Sequence, residues 1–145
     1  MRLIELEITE FRGIRHIILR PNTRNFVIWG PNGSGKSAAV DGLDFLLTGR
    51  ISRLMGEGTG GITLPKHGPH IGSDPEHARV RALFQVPGFD KPVEIARCVA
   101  RPGVLECPNE AGPHLEPILE VARRGQHVLT RREILKYITS SASTR

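Results

Sequence analysis

The chain has 145 residues, 39% of them hydrophobic, 5% aromatic and 24% charged, with a formal net charge of +5. That size bounds it to one domain or part of one, with room for a real core. No apolar run approaches the length of a membrane span, and Met1-Arg2-Leu3-Ile4-Glu5 is not the basic start and apolar run of a secretory leader. Cys98 and Cys107 need no disulfide, which fits a reducing compartment, so a cytoplasmic location is expected.

In chain order, RLIELEITEF sets Ile4, Leu6 and Ile8 against Leu3, Glu5, Glu7 and Thr9, a period of two that predicts a strand. RHIILR predicts a second short strand, closed by the turn residues Arg20-Pro21-Asn22. NFVIWG is almost wholly apolar between Asn25 and Gly30 and predicts a buried strand. From Lys36 the period changes. Ala39, Val40, Leu43, Leu46 and Leu47 predict one buried face of a helix that stops at Gly49. Residues 48–77, rich in glycine, proline and histidine, predict a long loop of the kind that carries function or lacks order.

ARVRALFQV and VEIARCVAR flank Pro87-Gly88-Phe89-Asp90 and predict an antiparallel hairpin, to which GVLECP adds a third short strand. LEPILEVARRG predicts a short helix or irregular segment ending near Gly125, HVLT a strand, and RREILKYI a helix with Thr130 as its N-cap. The charge is uneven. Arg123, Arg124, Arg131, Arg132, Lys136 and Arg145 face a single acid, Glu133, in the last 25 residues, whereas the first 120 balance. A basic end on a neutral body is either a phosphate-backbone footprint or a solvated helix face.

Gly30-Pro31-Asn32-Gly33-Ser34-Gly35-Lys36-Ser37 fits G-x-x-x-x-G-K-[ST] at every position, after an apolar run and before a helical period. Glycines let the backbone curl so that successive N–H groups converge on phosphate oxygens. The helix start adds its positive end. Lys36 is placed for the β- and γ-phosphates and Ser37 for Mg²⁺. Ala38 stands where many such loops have a second hydroxyl, so only its N–H is offered and somewhat weaker nucleotide binding is expected. The expected ligands are ATP and Mg²⁺. A zinc reading of His67, His70 and His77 is disfavoured, because no cysteine lies near them.

Phe11-Arg12-Gly13, GPNGSGKS and AAVDGLDFLLTG together resemble the heads of the structural-maintenance-of-chromosomes (SMC) superfamily, which includes double-strand-break-repair ATPases and RecF-like proteins. Asp41, Leu43, Phe45 and Leu46 stand where that pattern expects them. The resemblance is strong over residues 1–50 and suggestive for 78–101 and 121–138; residues 48–77 and 102–119 have no match in it. It implies an α/β P-loop NTPase fold: the N-terminal lobe of an ABC-type head, with a mixed core sheet and an antiparallel β-subdomain, incomplete without its C-terminal half. The implied organisation of residues 1–145 is a P-loop core over 1–50, the Gly/Pro-rich loop over 48–77, an antiparallel β-segment over 78–107 and a helical exit towards a coiled coil over 130–145. The implied partners are the C-terminal ATPase lobe, a second head in a homodimer, and DNA, with association at the nucleoid and no membrane.

The resemblance carries over to Arg12, as an arginine near the nucleotide, and to Asn32 in the loop. It also implies a glutamine that senses Mg²⁺ and the attacking water. Gln126 is the candidate, with Gln85 as the alternative inside a strand pattern. The nucleotide site is thus Arg12, Pro31, Asn32, Gly33, Ser34, Gly35, Lys36, Ser37, Ala38 and Gln126, with Ser37 and Gln126 at the metal. No run of four apolar residues followed by Asp-Glu occurs, and no Ser-Gly-Gly signature precedes a helix. A P-loop alone supplies binding and charge neutralisation but nothing to polarise the attacking water. The expectation is an ATP-binding chain, itself inactive or very weak, with an exposed interlobe face that favours self-association. Two other readings stay open: a DNA-binding or tethering module without ATPase activity, and another P-loop class such as a small kinase or GTPase.

Overall fold

A computed structural model describes residues 1–54, 63–125 and 127–128. Four strands form one antiparallel sheet: β1 (Arg2–Phe11), β2 (Ile14–Leu19), β3 (Arg79–Gln85) and β4 (Val93–Cys98), in the order β2-β1-β3-β4. The helices are α1 (Lys36–Thr48), the single turn α2 (Leu64–His67) and α3 (Gly112–Arg123). The alternation read in residues 2–11 and 79–98 becomes this sheet, with Leu6 opposite Ala82 and Val80 opposite Arg97. Every pairing between these strands is antiparallel, so the mixed core sheet expected from the resemblance is not what the described residues form.

One face of the sheet is the core. Leu6, Ile8, Val80, Ala82, Phe84 and Ile95 are buried there under Phe45 and Leu46 of α1, and Phe11 stacks on Phe45 with ring centroids 5.4 Å apart. α3 packs Leu115, Leu119 and Ala122 into the same cluster. α1 lies close against the sheet at Gly42, where a Cβ would stand 2.8 Å from Ile8 Cδ1. Of the predicted face, Ala39, Leu46 and Leu47 are buried and Leu43 packs partly buried against the core, while Val40 is exposed; Ala38, Asp41, Gly42, Asp44 and Phe45 are buried besides. Asp41 and Asp44 can lie inside because both are bonded to partners there.

The other face is ionic. Arg81 donates to Glu7 (2.7 Å), Glu94 (2.5 Å) and Glu5 (3.3 Å), and His16 meets Glu7 at 3.0 Å. The hydrogen bond to His16, and then that to Arg81, hold the Glu7 carboxyl below its ordinary value. A depressed carboxyl contributes stability that is present above its unfolded pKa and is lost as pH falls through the folded one. The urea midpoint should therefore drop less between pH 7 and pH 3 in Glu7→Gln than in the wild-type chain. An equal drop in both would remove Glu7 from the acid response.

α1 stops where expected. Gly49, at φ +74°, donates its N–H to the Phe45 carbonyl at 2.8 Å, a left-handed C-terminal cap. Arg97, buried on β4, donates Nε to the Leu46 carbonyl at 3.0 Å and Nη1 to the Pro102 carbonyl. Burial and the nearby charge of Arg123 pull its guanidinium below the ordinary arginine value. A Cβ on Gly49 would press on the Pro102 carbonyl oxygen and on Arg97 Nη1. Gly49→Ala should cost about 2–4 kcal/mol in urea unfolding, the left-handed penalty plus overpacking. Gly72→Ala, equally left-handed but in open space, should cost only about 1 kcal/mol. Equal losses at the two glycines would refute the crowding at residue 49.

The clearest departure is residues 25–30. They form no strand with the described residues, and Val27 and Trp29 are 79% and 88% exposed. Phe26 and Ile28, themselves partly exposed, line a groove beside α1, and Val27 and Trp29 stand largely in water. The run's apolar character predicts a strand covered on both sides, and here one side has partial cover and the other none. Smaller corrections follow the same logic of local partners. GVLECP contributes a single bridge, Ala96 to Glu106, rather than a third strand. The long loop is partly ordered, through a 3-10 turn at Ser52–Leu54, α2 and a bridge from Phe11 to Pro69. His127 and Val128 are turn and irregular backbone, not strand. The rest of that predicted strand and the exit helix, with Thr130, lie outside the described residues.

Candidate functional site

The loop from Gly30 to Gly35 feeds directly into α1. Gly33 and Gly35 take φ of +84° and +86°, backbone that favours glycine, and Gly35 is the residue from which α1 starts. The first N–H groups of a helix have no partner within it, so those of Lys36, Ser37 and Ala38 point back towards the loop. Lys36 folds across the loop, donating Nζ to the Gly30 carbonyl at 2.7 Å, the Pro31 carbonyl at 2.5 Å and Ser34 Oγ at 3.4 Å. An ammonium tethered only to neutral acceptors can exchange them for phosphate oxygens. Asn32, Gly33, Gly35, Lys36, Ser37 and Ala38 line one wall of a cleft of about 710 Å³. Pro31 and Ser34 sit exposed on the same loop. A Cβ on Gly30 would meet Ser34 Oγ at 3.1 Å, so a glycine suits the loop closure there.

Arg12 reaches this cleft from the turn between β1 and β2. Its backbone is left-handed, at φ +54°. Its N–H donates to the Gly68 carbonyl at 2.6 Å, and Nη1 donates to the His67 carbonyl at 3.0 Å. Its Nε lies 3.5 Å from Asp41 Oδ2. Asp41 also accepts from Arg53 Nε at 3.1 Å and Arg53 Nη2 at 2.6 Å. Arg53, Asp41 and the opposite wall, Pro65 to His67 and Pro69 to Ser73, were not legible as parts of the site. The available signals were the Asp41 position within the helical pattern and the composition of the loop.

Gln126 lies outside the described residues. Its neighbour His127 is tied to α1, with Nε2 2.8 Å from Asp44 Oδ1. Asp44 is held in turn by the Ser52 N–H at 2.6 Å. The alternative, Gln85, ends β3 opposite Arg2, beside Val86 to Asp90 and away from the cleft. Of the basic end, Arg123 is paired with Glu116 (2.6 Å) and Arg124 with Glu120, which reduces their offer to a phosphate backbone. Arg131, Arg132, Lys136 and Arg145 lie outside the described residues. No described helix is long and apolar enough to cross a membrane.

A glycine loop entering a helix, a lysine folded across it and a cleft in front lined by Arg12, Asp41 and Arg53 are the parts of a P-loop, on a mixed α/β architecture. A family model described as an AAA domain matches residues 5–135, and the chain belongs to that family. It is also similar to Structural maintenance of chromosomes protein 5 of Arabidopsis thaliana, 34% identical over 70 residues, which are 48% of this chain and 7% of that protein. Together these support an N-terminal region of an SMC-like ATPase. Membership of an ATPase family implies nucleotide use, usually with Mg²⁺.

Proposed function

We propose that this chain is the ATP-Mg-binding N-terminal lobe of an SMC-like ATPase that acts in DNA repair, recombination or defence. The observation that carries the reading is the Gly30–Ser37 loop, with left-handed glycines at 33 and 35, α1 opening from it and Lys36 already inside it. The residues suit a polyphosphate. Loop amides and the helix start would hold the phosphates, Lys36 would neutralise the β- and γ-phosphates, and Arg12 would stand at the rim. Ser37, with Gln126, would hold Mg²⁺, which draws charge off the phosphates when bound.

Turnover needs a group that orients the attacking water, and no Walker B or signature pattern occurs in these 145 residues. The chain alone therefore binds and scarcely hydrolyses. The C-terminal lobe, a second head and DNA are its proposed partners. The exposed Phe26–Trp29 run supports the first of these, because a run apolar on both sides would suit a strand inside a larger sheet completed by that lobe. Calorimetry with ATP and Mg²⁺ tests the reading. Saturable, one-to-one heat with negligible phosphate release is expected. Absence of saturable heat at millimolar ATP would overturn it in favour of a tethering module with a vestigial loop.

A further inference from the structure

Asp41 is a carboxylate placed in the buried face of α1, with its side chain only 4% exposed. Such a site is costly for a charge unless it is paired. Its partners come from two distant segments. Arg53, on the 3-10 turn after α1, grips both carboxylate oxygens, and Arg12, on the turn between β1 and β2, approaches one of them. Asp41 follows Ser37 by four residues on α1, which sets it one turn below the serine on the same side of the helix. Both arginines line the cleft in front of the phosphate loop, and Arg53 is about half exposed there.

Two guanidinium groups on one carboxylate leave one uncompensated positive charge at that rim. Each guanidinium carries five N–H groups in a fixed plane, more than Asp41 accepts from either. Arg12 is further fixed by the carbonyls of Gly68 and His67. The planes are thus oriented by the protein before any ligand arrives, which removes an ordering cost from binding.

We propose that Asp41 is a positioning residue of this cleft, holding Arg12 and Arg53 so that both face the terminal phosphate of a bound nucleoside triphosphate. The inference rests on the ATP-binding reading. It makes a prediction opposite in sign to that of simple proximity. A carboxylate that merely lies near the phosphates repels them, so its removal would tighten binding. A carboxylate that aims two cations helps them, so its removal weakens binding.

The test measures ATP-Mg and ADP-Mg affinities of the 145-residue chain by calorimetry, with Asp41→Asn, Asp41→Glu, Arg53→Gln and the double variant Asp41→Asn/Arg53→Gln. Asp41→Asn should weaken ATP about tenfold, the equivalent of roughly one hydrogen bond to a charged group, and ADP much less. Arg53→Gln should show the same preference, and the double variant should lose little more than either single one, because the two act as a unit. Asp41→Glu should recover part of the loss. Arg53→Gln changes a half-exposed side chain, so its result stands even where the Asp41 variants fold poorly. Asp41→Asn binding ATP as tightly as wild type or tighter, or additive losses in the double variant, would overturn the proposal while Lys36-dependent ATP binding persists. Absence of ATP binding in the wild-type chain would instead remove the reading beneath it.

Discussion

Lys36→Ala should lower the affinity for ATP-Mg by at least about a hundredfold while leaving the fold almost unchanged. The ammonium would make charge-assisted hydrogen bonds to two phosphate groups, each worth roughly 1.5–3 kcal/mol. Losing about 3 kcal/mol corresponds to about a hundredfold in Kd. In the structure the same ammonium bonds only to Gly30, Pro31 and Ser34 of the loop. These contacts lie at the water-facing edge, so their removal should shift unfolding by no more than about 1 kcal/mol. Lys36→Arg should also bind poorly. A planar fork does not replace a compact point charge inside a narrow loop. Paired calorimetric and urea titrations separate the two effects. Undiminished heat from Lys36→Ala, in a folded protein, would mean that the loop is not the nucleotide site.

What was legible in the sequence follows from how local each constraint is. The phosphate loop is written in eight consecutive residues whose types are dictated by backbone geometry, and the structure places them at the mouth of α1. The hairpin of β3 and β4 follows from alternation and a four-residue turn. The inward face of α1 was not legible in the same way. Val40 is apolar but exposed, and Asp41 and Asp44 are acidic but buried. Their burial is licensed by Arg53, Arg12 and His127, residues 12, 29 and 83 positions away. No periodicity rule records a partner at such separations. For the same reason residues 48–77 read only as a long loop that carries function or lacks order, with nothing to place Pro65 to His67 and Pro69 to Ser73 as a wall of the cleft. That wall is held by long-range bonds, from Arg12 N–H to the Gly68 carbonyl and from His70 N–H to the Glu10 carbonyl.

Val27→Asp with Trp29→Ser should leave the isolated chain as stable as wild type and yet weaken its pairing with a C-terminal lobe supplied in trans by at least about thirtyfold. Both side chains are largely in water, at 79% and 88% exposure, so removing them costs little folding energy, within about 0.5 kcal/mol. Phe26 and Ile28 line a groove with Leu3, Leu6, Leu19 and Leu43. One side of the run thus already has apolar neighbours, while the other presents a valine and the chain's single tryptophan. A segment outside the sheet also presents N–H and C=O groups that another strand can bond. A central tryptophan in an interface commonly carries 2 kcal/mol or more, so the double change should weaken lobe association by at least about thirtyfold. Trp29 reports the event directly. In the chain alone its fluorescence should be that of a water-exposed indole, readily quenched by iodide, and lobe binding should shift it to the blue and protect it. Unchanged quenching on binding, together with full affinity of the double variant, would place the interlobe contact elsewhere and leave Phe26–Trp29 as an exposed apolar run with a liability to self-association.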